Sequence, residues 1–196
     1  MKAFQKVEGV IAPLDRADVD TDQVIPKQFL RRIERSGFGP YLFFDWRKDP
    51  DFSLNRAEYS GAQILLAGAN FGCGSSREHA AWSLEDAGFR AVIAPSFGDI
   101  FRANAVKIGL LPVPLGEAQV RALFDLVQEE PGIGATVDLA AQTVTAGDLS
   151  FPFEIDPFVK HCLLEGLDEV ALTLAHDAEI AAHEARRPGW LPSVGA

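Results

Sequence analysis

The amino-acid sequence predicts a single α/β domain in which a short parallel sheet, flanked by helices, is extended by additional antiparallel strands. Three features of the 196-residue chain indicate this class: short apolar runs that alternate with helical patterns in the middle, strand-like segments around a tight turn after residue 135, and a helical pattern after residue 156. Because 47% of the residues are apolar and 10% are aromatic, a chain of this length can bury a core, which excludes disorder throughout.

The N-terminal region begins with one strand and continues into polar turns. Residues 7–14 alternate loosely between apolar and polar, which predicts a strand. Residues 15–22 hold four carboxylates and predict a solvated loop, with a weak cation site or a substrate-facing loop as alternatives. Pro26 suits the first turn of a helix that continues to Ile33, and the run Ser-Gly-Phe-Gly-Pro ends that helix.

The middle of the chain carries the clearest pattern. Residues 63–67 and 91–94 are apolar throughout, which is typical of strands buried on both faces, and residues 110–113 resemble them. Helical patterns over residues 76–87 and 96–109 separate these three runs. Strands that alternate with helices over such short links are parallel strands joined by right-handed crossovers.

The pattern changes in the last third of the chain. Three strands are predicted within residues 136–155, with a hairpin turn at 146–148. One continuous helical pattern then begins at Pro157. His176 and His183 fall opposite its apolar stripe and are expected to lie in solvent. The stripe consists of Leu163, Leu167, Val170, Leu174, Ala178 and Ala181.

Composition bounds the domain organisation and the class of protein. We expect residues 1–185 to form the domain and residues 186–196, with two prolines and two glycines, to form a flexible tail. The net charge of -10 repels phosphate backbones and disfavours a nucleic-acid partner. No apolar run approaches the roughly 20 residues that span a bilayer, and the N-terminus lacks the apolar core of a signal peptide. We therefore expect a cytoplasmic protein with no membrane partner.

Potential metal ligands are few. Cys73 and Cys162 cannot form a disulfide framework, a four-thiolate zinc site or a complete iron–sulfur site. The histidines show no metal-ligand spacing, so we expect no metal bound by this chain alone. The four histidines are His79, His161, His176 and His183.

A glycine- and serine-rich turn over residues 68–81 is the most informative segment. It lies where a predicted parallel strand ends and a helix begins, which is the usual place for a ligand in an open α/β sheet. Its glycines permit a sharp turn and a close approach of the backbone to a ligand. Free amides at the start of the helix, together with Arg77, would attract a carboxylate, so the turn predicts an anion site.

Spacing alone also allows interpretations without catalysis. Ser75 and Glu78 fit a capping box, in which the serine caps the helix and the glutamate accepts from the serine amide, and spacing favours this interpretation. A phosphate-binding loop would need a lysine followed by serine or threonine, and a serine-hydrolase elbow would need a second glycine. Cys73 is a conceivable nucleophile, although a cysteine in a tight apolar turn is usually inert.

Four segments resemble a known family. Residues 70–81 (NFGCGSSREHAA) resemble the signature of the swivelling domain of the aconitase superfamily, and residues 20–30 and 95–112 resemble two further parts of that domain. Residues 42–47 (LFFDWR) resemble a segment typical of one branch, the bacterial small subunits of 3-isopropylmalate dehydratase. Together these segments span most of residues 7–115, so the resemblance implies a single swivelling-type domain.

The resemblance also implies an activity, a cofactor and a partner. Members of this branch isomerise 2-isopropylmalate and 3-isopropylmalate by dehydration and rehydration in leucine biosynthesis. A [4Fe–4S] cluster held by a large subunit acts as the Lewis acid. No cofactor is therefore expected in this chain, and its expected partners are the large cluster-binding subunit and a small-molecule hydroxy-diacid substrate.

The resemblance assigns roles by motif position. Ser75 corresponds to the general base that removes a proton alpha to a carboxylate, and Ser76 and Arg77 correspond to residues that hold a substrate carboxylate. A serine hydroxyl is a weak base at neutral pH, so Arg77 and the helix N-terminus are expected to stabilise the alkoxide. The residues expected to support the site are Thr21, Asp22 and Glu78.

Substrate choice is expected to depend on residues 28–41, where Arg35 is the candidate for a second carboxylate contact and a solvated helix face is the alternative. Dehydration of homoaconitate or a methyl-substituted malate is the alternative activity, and a non-catalytic assembly module of the same fold is the alternative of another class. We also expect the segment 31–51, with its exposed aromatics, to be mobile in the isolated chain.

Overall fold

The computed structural model describes residues 1–30 and 34–188, which form one seven-stranded mixed sheet with helices packed on it. The strands are β1 Lys6–Leu14, β2 Ile64–Ala67, β3 Ala91–Ala94, β4 Leu111–Pro114, β5 Gly134–Asp138, β6 Thr143–Ala146 and β7 Leu149–Pro152. The helices are α1 Thr21–Val24, α2 His79–Asp86, α3 Asp99–Ile108, α4 Glu117–Glu129, α5 Pro157–Glu165, α6 Glu169–Leu174 and α7 Asp177–Ala185. Among the described residues, no helix has the length and apolar character needed to cross a membrane. The predicted α/β class is confirmed.

The parallel half of the sheet consists of β1 to β4. β2 and β3 are buried along their whole length, as their unbroken apolar sequences predict. The connections through α2 and α3 advance in the same direction across the sheet, so right-handed crossovers place both helices on one face, where they pack on each other. α4 packs across β1, β2 and β3. It is absent from the elements predicted above, although its buried residues recur at helical spacing: Val120, Leu123, Phe124 and Val127.

Strand β1 joins the parallel and antiparallel halves. Its last four residues pair with β2 in parallel, with Leu14 opposite Ala67. Its first five residues pair with β5 antiparallel, with Val7 opposite Val137. The hairpin between β6 and β7 turns at Gly147, which has a φ of +52°, as the sequence predicts. The sheet therefore continues through β1 without a break between the two halves.

The first part of the connection between β1 and β2 differs from its prediction in two places. Where residues 15–22 predict only a solvated loop, α1 begins at Thr21 and is capped by Asp20. Where a helix is predicted from Pro26 to Ile33, the structure has one 3₁₀ turn, Lys27–Phe29, and Ile33 lies outside the described residues.

The following segment packs on α2. Phe38 and Phe43 are fully buried, and the Phe38 amide donates to the Asp86 carboxylate at 2.7 Å. The aromatic side chains expected to be exposed within residues 31–51 are therefore buried at these two positions, which corrects that expectation. Residues 31–33 lie outside the part that the structure describes. The described part of this segment is thus anchored to the core.

The C-terminal region forms three short helices, so the prediction of one continuous helix is wrong. α5 ends at Gly166, whose φ of +70° is left-handed, and Asp168 then caps α6 by accepting from the Ala171 amide. These breaks change the direction of the chain, so the predicted apolar stripe does not form one buried face. His176 and His183 are exposed, as predicted. The boundary between a domain ending at residue 185 and a flexible tail stays a prediction, and residues 189–196 lie outside the described residues.

His79, the first residue of α2, lies between two aromatic rings. Its ring centroid is 5.1 Å from that of Phe38 and 4.7 Å from that of Trp82. Its Nδ1 is buried and has no hydrogen-bond partner among the described residues. Burial and the positive charge of Arg77 lower the pKa of His79 below its usual value, so the imidazole is neutral at pH 7.

The turn after β2 lies directly on α3. Gly72 adopts a φ of +75°, in the left-handed region that favours glycine, and a Cβ at this position would overlap the ring of Phe101. Phe101 is 2% exposed and belongs to the core. A side chain at residue 72 therefore cannot be accommodated without moving α3 or the turn.

We expect Gly72→Ala to lower the free energy of unfolding by about 2–4 kcal/mol, because backbone strain and overpacking each cost about 1–3 kcal/mol. Gly61→Ala is the matched control: Gly61 has a φ of +72°, and a Cβ added to it would have no atom within 4 Å, so it should show the cost of φ alone. Urea unfolding measures both. Equal losses in the two variants would contradict the packing of Gly72 against α3.

The stability of the chain should fall as the pH drops through the range in which His79 titrates in the unfolded chain. The pKa of His79 is lowered in the folded state, so below about pH 6.5 the unfolded chain binds a proton at His79 more readily than the folded chain does. Above about pH 6.5 His79 is neutral in both states and does not affect the free energy of unfolding. As the pH falls below this value, protonation of the unfolded chain lowers the free energy of unfolding. His79→Gln should weaken this pH dependence in thermal unfolding between pH 7.5 and 5.5, whereas His183→Gln, at an exposed position, should preserve it.

Candidate active site

Three loops meet at the carboxyl edge of the parallel strands. They follow β1, β2 and β3, and backbone hydrogen bonds connect them. The Gly72 amide donates to the Val19 carbonyl at 2.8 Å, and the Phe71 amide donates to the Ser96 carbonyl at 3.1 Å. The edge of the sheet at which ligands bind in α/β folds is therefore covered by a fixed set of turns.

The backbone of Ser75 is held by Thr21. The Ser75 amide donates to Thr21 Oγ1 at 3.1 Å, and Thr21 Oγ1 donates to the Ser75 carbonyl at 3.4 Å. The Thr21 amide also donates to the Cys73 carbonyl at 2.9 Å. Within residues 1–30 and 34–188, the Ser75 hydroxyl has no hydrogen-bond partner. The turn thus fixes the backbone of this half-buried serine and leaves its Oγ available.

The capping box predicted at Ser75 and Glu78 does not form. α2 begins at His79, its N-cap is Glu78, and no side chain caps it. The physical reason is that the Ser75 amide, which Glu78 would accept from, is already bonded to Thr21. A capping box forms instead at α1, where the Asp20 side chain accepts from the Gln23 amide and Gln23 Oε1 accepts from the Asp20 amide at 2.9 Å.

Arg77 is oriented by Asp22. Its Nη1 donates to Asp22 Oδ1 at 2.6 Å, and both side chains are 32% exposed. Lys27 Nζ lies 3.0 Å from the other oxygen, Asp22 Oδ2. Nε and Nη2 of Arg77, the edge of a guanidinium that makes two-pronged contacts, have no partner among the described residues. Arg77 is therefore positioned with a free edge.

Lys27 is a residue of the site that the sequence reasoning missed. It enters through its ion pair with Asp22 and lies on the short 3₁₀ turn after α1. The available signal was its position five residues after Asp22, within a segment already matched to a family motif. Spacing did not identify it because the turn that brings Lys27 back to Asp22 replaces the longer helix predicted there.

Glycines at two positions make these contacts possible. Gly74 has a φ of +92°, and a Cβ there would overlap the carboxylate of Asp20. Gly72, with its own left-handed φ, precedes it by two residues. The pair lets the turn fold against the start of α1, as the sequence predicts for a glycine-rich turn.

Cys73 is poorly suited to nucleophilic chemistry. Burial raises the pKa of its thiol, and the negative charges of Asp20 and Asp18 raise it further. The thiol is therefore protonated at neutral pH, and a protonated thiol is a weak nucleophile. Cys162 is buried in the core.

The remaining predicted residues lie around the turn. Ser76 is exposed, its carbonyl accepts from the Asn104 side-chain amide at 3.3 Å, and its hydroxyl has no partner in the described part of the chain. Arg35 is exposed and lines a groove of about 430 Å³ together with Glu78 and Trp82. No hydrogen bond or ion pair among the described residues joins Arg35 to residues 75–77, whereas Thr21 and Asp22 are bonded to Ser75 and Arg77.

No group of three or more His, Cys, Asp or Glu side chains in residues 1–30 and 34–188 has the arrangement needed to hold a metal ion. Cys73 and Cys162 lie in different parts of the fold, the first in the turn after β2 and the second in α5. The hydroxyls of Ser75 and Ser76 and the guanidinium of Arg77 suit a carboxylate ligand, whereas Glu78 of the same turn is an exposed carboxylate.

The chain is similar to known proteins over almost all of its length. Residues 1–118 match the family model of the aconitase C-terminal domain, residues 121–157 match a model described as LeuD_N, and residues 169–192 match the C-terminal domain of the 3-isopropylmalate dehydratase small subunit. Among solved structures, the chain resembles the crystal structure of 3-isopropylmalate dehydratase (leuD) from Methanocaldococcus jannaschii. The sequence identity is 25%, the TM-score is 0.68, and the match covers 91% of this chain and 99% of that chain. The chain belongs to the family of aconitase C-terminal domains and, within it, to the small subunits of 3-isopropylmalate dehydratase.

Proposed function

We propose that this chain supplies the base and the carboxylate clamp of a hydro-lyase that interconverts 2-isopropylmalate and 3-isopropylmalate, with Ser75 as the base and Arg77 as the clamp. The observation that carries the proposal is the turn after β2, which fixes the backbone of Ser75 and orients Arg77 while leaving the Ser75 hydroxyl and one guanidinium edge without partners among the described residues. Family membership supports the role of a small subunit that works with a large subunit.

Ser75 would move the proton in each direction. In dehydration, its Oγ accepts the proton from the carbon alpha to a carboxylate, the hydroxyl group leaves the neighbouring carbon with the bonding pair, and a carbon–carbon double bond forms. In rehydration, the hydroxyl group adds to the carbon that lost the proton, and Ser75 returns the proton to the carbon that lost the hydroxyl group. This exchange of positions completes the isomerisation. Since a serine alkoxide is costly at neutral pH, about 1.4 kcal/mol for each unit by which its pKa must fall, a nearby positive charge is required.

Arg77 is the candidate for that charge. α2 begins four residues after Ser75, so the helix N-terminus is farther along the chain than the sequence predicts. The guanidinium of Arg77 would therefore contribute more than the helix N-terminus to stabilising the Ser75 alkoxide. Its free Nε and Nη2 edge would bind a substrate carboxylate in two-pronged fashion, with the exposed Ser76 hydroxyl as a further donor. Asp22 and Thr21 would act as positioning residues, since one holds Arg77 and the other holds Ser75.

The cofactor is expected on the other subunit. This chain has two cysteines, so three cluster thiolates would have to come from the large subunit. There, a [4Fe–4S] cluster would supply the Lewis acid that draws electrons from the departing hydroxyl. The residues of this chain fit that division, because the turn offers a base and anion-binding groups on the surface that a partner would cover.

The substrate class is a small hydroxy-diacid, with homoaconitate or a methyl-substituted malate as the alternative to isopropylmalate. Arg35 remains the candidate for a second carboxylate contact, since it is exposed and lines the groove that Glu78, the residue after Arg77, also lines. The charge of -10 disfavours nucleic acid as a partner. A non-catalytic assembly module would need neither the free Ser75 hydroxyl nor the oriented Arg77.

Mixing the subunits tests the function. The isolated chain should be inactive, and addition of the cluster-bearing large subunit from the same organism should produce dehydration of 3-isopropylmalate, followed by the absorbance of the unsaturated diacid. Homoaconitate and methyl-substituted malates, assayed in parallel, should be poorer substrates. An intact pair that binds but turns over none of them would favour the assembly module.

Ser75→Ala should lower kcat of the reconstituted pair by about 10²–10⁴-fold, the usual contribution of a general base. Stability should be unchanged, because the Ser75 hydroxyl makes no hydrogen bond among the described residues and caps no helix. Arg77→Lys should be nearly as damaging, since lysine keeps the charge but loses the two-pronged contact.

Cys73→Ser is the matched control for Ser75→Ala, two residues away in the same turn. It should retain most of the turnover, because the thiol is protonated at neutral pH and takes no part in the proposed step. Steady-state rates are measured after each variant is checked for folding and for binding to the large subunit. Loss of turnover in Cys73→Ser together with its retention in Ser75→Ala would assign the chemistry to the cysteine.

A further inference from the structure

The three C-terminal helices expose an unusual amount of apolar surface. Among the residues that the structure describes, five large apolar side chains are strongly exposed, and four of them lie on α5 to α7. Val170 and Leu174 are four residues apart on α6, so they share one face, and they are 66% and 63% exposed. The four residues, which we call the C-terminal apolar face, are Phe158, Val170, Leu174 and Ile180.

This face borders two hollows. Phe158 and Val170 line the groove of about 430 Å³ that also contains Trp82 and Leu163, and Phe158 and Ile180 line a shallower hollow of about 400 Å³. Leu174 lines neither hollow and enters the face through its position on α6, four residues after Val170. Several exposed apolar side chains on neighbouring short helices are typical of a protein–protein contact. Phe158 connects the two hollows and is 61% exposed.

The family matches divide the chain in a way that bears on this face. Residues 1–118 match a domain that in aconitase is the C-terminal part of a longer chain, so the peptide chain itself keeps that domain beside the rest of the enzyme. Residues 169–192 match a model of the small subunit, which is a separate chain. A separate subunit must associate through its surface alone, and α6 and α7, which carry Val170, Leu174 and Ile180, fall within the part matched to small subunits.

The groove is also continuous with the candidate active site. Glu78, which lines the groove, directly follows Arg77 in the turn after β2. Under the proposed function, the large subunit must cover that turn to enclose the substrate. If the contact surface of the large subunit extends from Arg77 beyond Glu78, it reaches the groove.

Four of the charged groups around the groove form two ion pairs within the chain, and Arg35 and Glu78 are further charged residues of its lining. The Met1 amine pairs with Asp168 at 2.9 Å, and Lys107 pairs with Glu169 at 2.8 Å. A partner element needs no charged groups to match these two pairs, so an apolar element with a few aromatic or aliphatic side chains fits the part of the groove beside Phe158 and Val170.

We propose that the C-terminal apolar face is a docking surface for an apolar element of the large subunit, and that it holds the two chains together in addition to the contact at the catalytic turn. This inference rests on the proposed function for the identity of the partner. It adds a surface that the catalytic chemistry does not use, so substitutions there change association without changing the reaction.

The test is the affinity of the purified chain for its cluster-bearing large subunit, measured by calorimetry. The double variant Val170→Glu/Leu174→Lys replaces the exposed pair on α6 with an i,i+4 charge pair that preserves net charge and suits the helix. We expect the Kd to rise at least tenfold, while kcat at saturating small subunit stays unchanged. Gln128→Lys, at an exposed position near the end of α4 that lines neither hollow, is the control and should leave the Kd unchanged.

Three other results would overturn the inference. The first is an unchanged Kd in the double variant. The second is sedimentation of the isolated chain as a dimer that the double variant dissociates, because the occupant would then be a second copy. The third is a fall in the melting temperature of the isolated chain in the double variant, matched by a chain truncated after Pro188, because the chain's own C-terminal residues would then cover the face. A wild-type pair that associates without turnover would count against the proposed function alone, since association is measured without the reaction.

Discussion

The buried hydroxyl of Thr21 connects the two sides of the candidate site, and the geometry of the other groups depends on it. Thr21 is 3% exposed, accepts from the Ser75 amide at 3.1 Å and lies 3.4 Å from the Ser75 carbonyl oxygen. A buried polar group without a partner costs about 1–3 kcal/mol, so this reciprocal contact fixes the start of α1 against the turn after β2. Since Asp22 follows Thr21 directly, the same contact brings a carboxylate to Arg77.

The isolated chain therefore already presents Arg77 with a carboxylate, and the surrounding charges decide what a second carboxylate would do. Asp22 divides its two oxygens between Arg77 and Lys27, at 2.6 and 3.0 Å. Two cations around one anion leave the group with a net positive charge in a chain whose total is -10. Under the proposed function, a substrate carboxylate would join at the edge of the guanidinium that Asp22 does not use, without displacing Asp22.

Local sequence signals predicted the elements whose structure depends on neighbouring residues. They failed where the structure depends on residues that are distant in the sequence or on breaks within a pattern. The parallel strands β2 and β3 and the glycine turn could be predicted because their apolar runs and glycines act within a few residues. The capping box at Ser75 failed because its amide is bonded to Thr21, 54 residues earlier in the chain. The C-terminal stripe failed because Gly166 and Asp168 end one helix and begin another, although the stripe's period was helical throughout. The role of Lys27 depends on the turn Lys27–Phe29, which is shorter than the predicted helix.

Strand β1, which pairs in parallel on one side and antiparallel on the other, has a consequence for how the chain folds. Val7 pairs with Val137, 130 residues later, so this side of β1 has no partner until most of the protein has been made. At about 5–20 residues per second, synthesis leaves that interval at roughly 7–26 s. An unpaired strand edge can pair with other chains during this time, and Lys6 and Glu8 on this part of β1 are charged residues of the kind that oppose such pairing. Folding that depends on such distant pairings is intrinsically slow. The antiparallel half of the sheet therefore forms only after β5 has been made, and the two charged residues on β1 lie on the edge that waits for it.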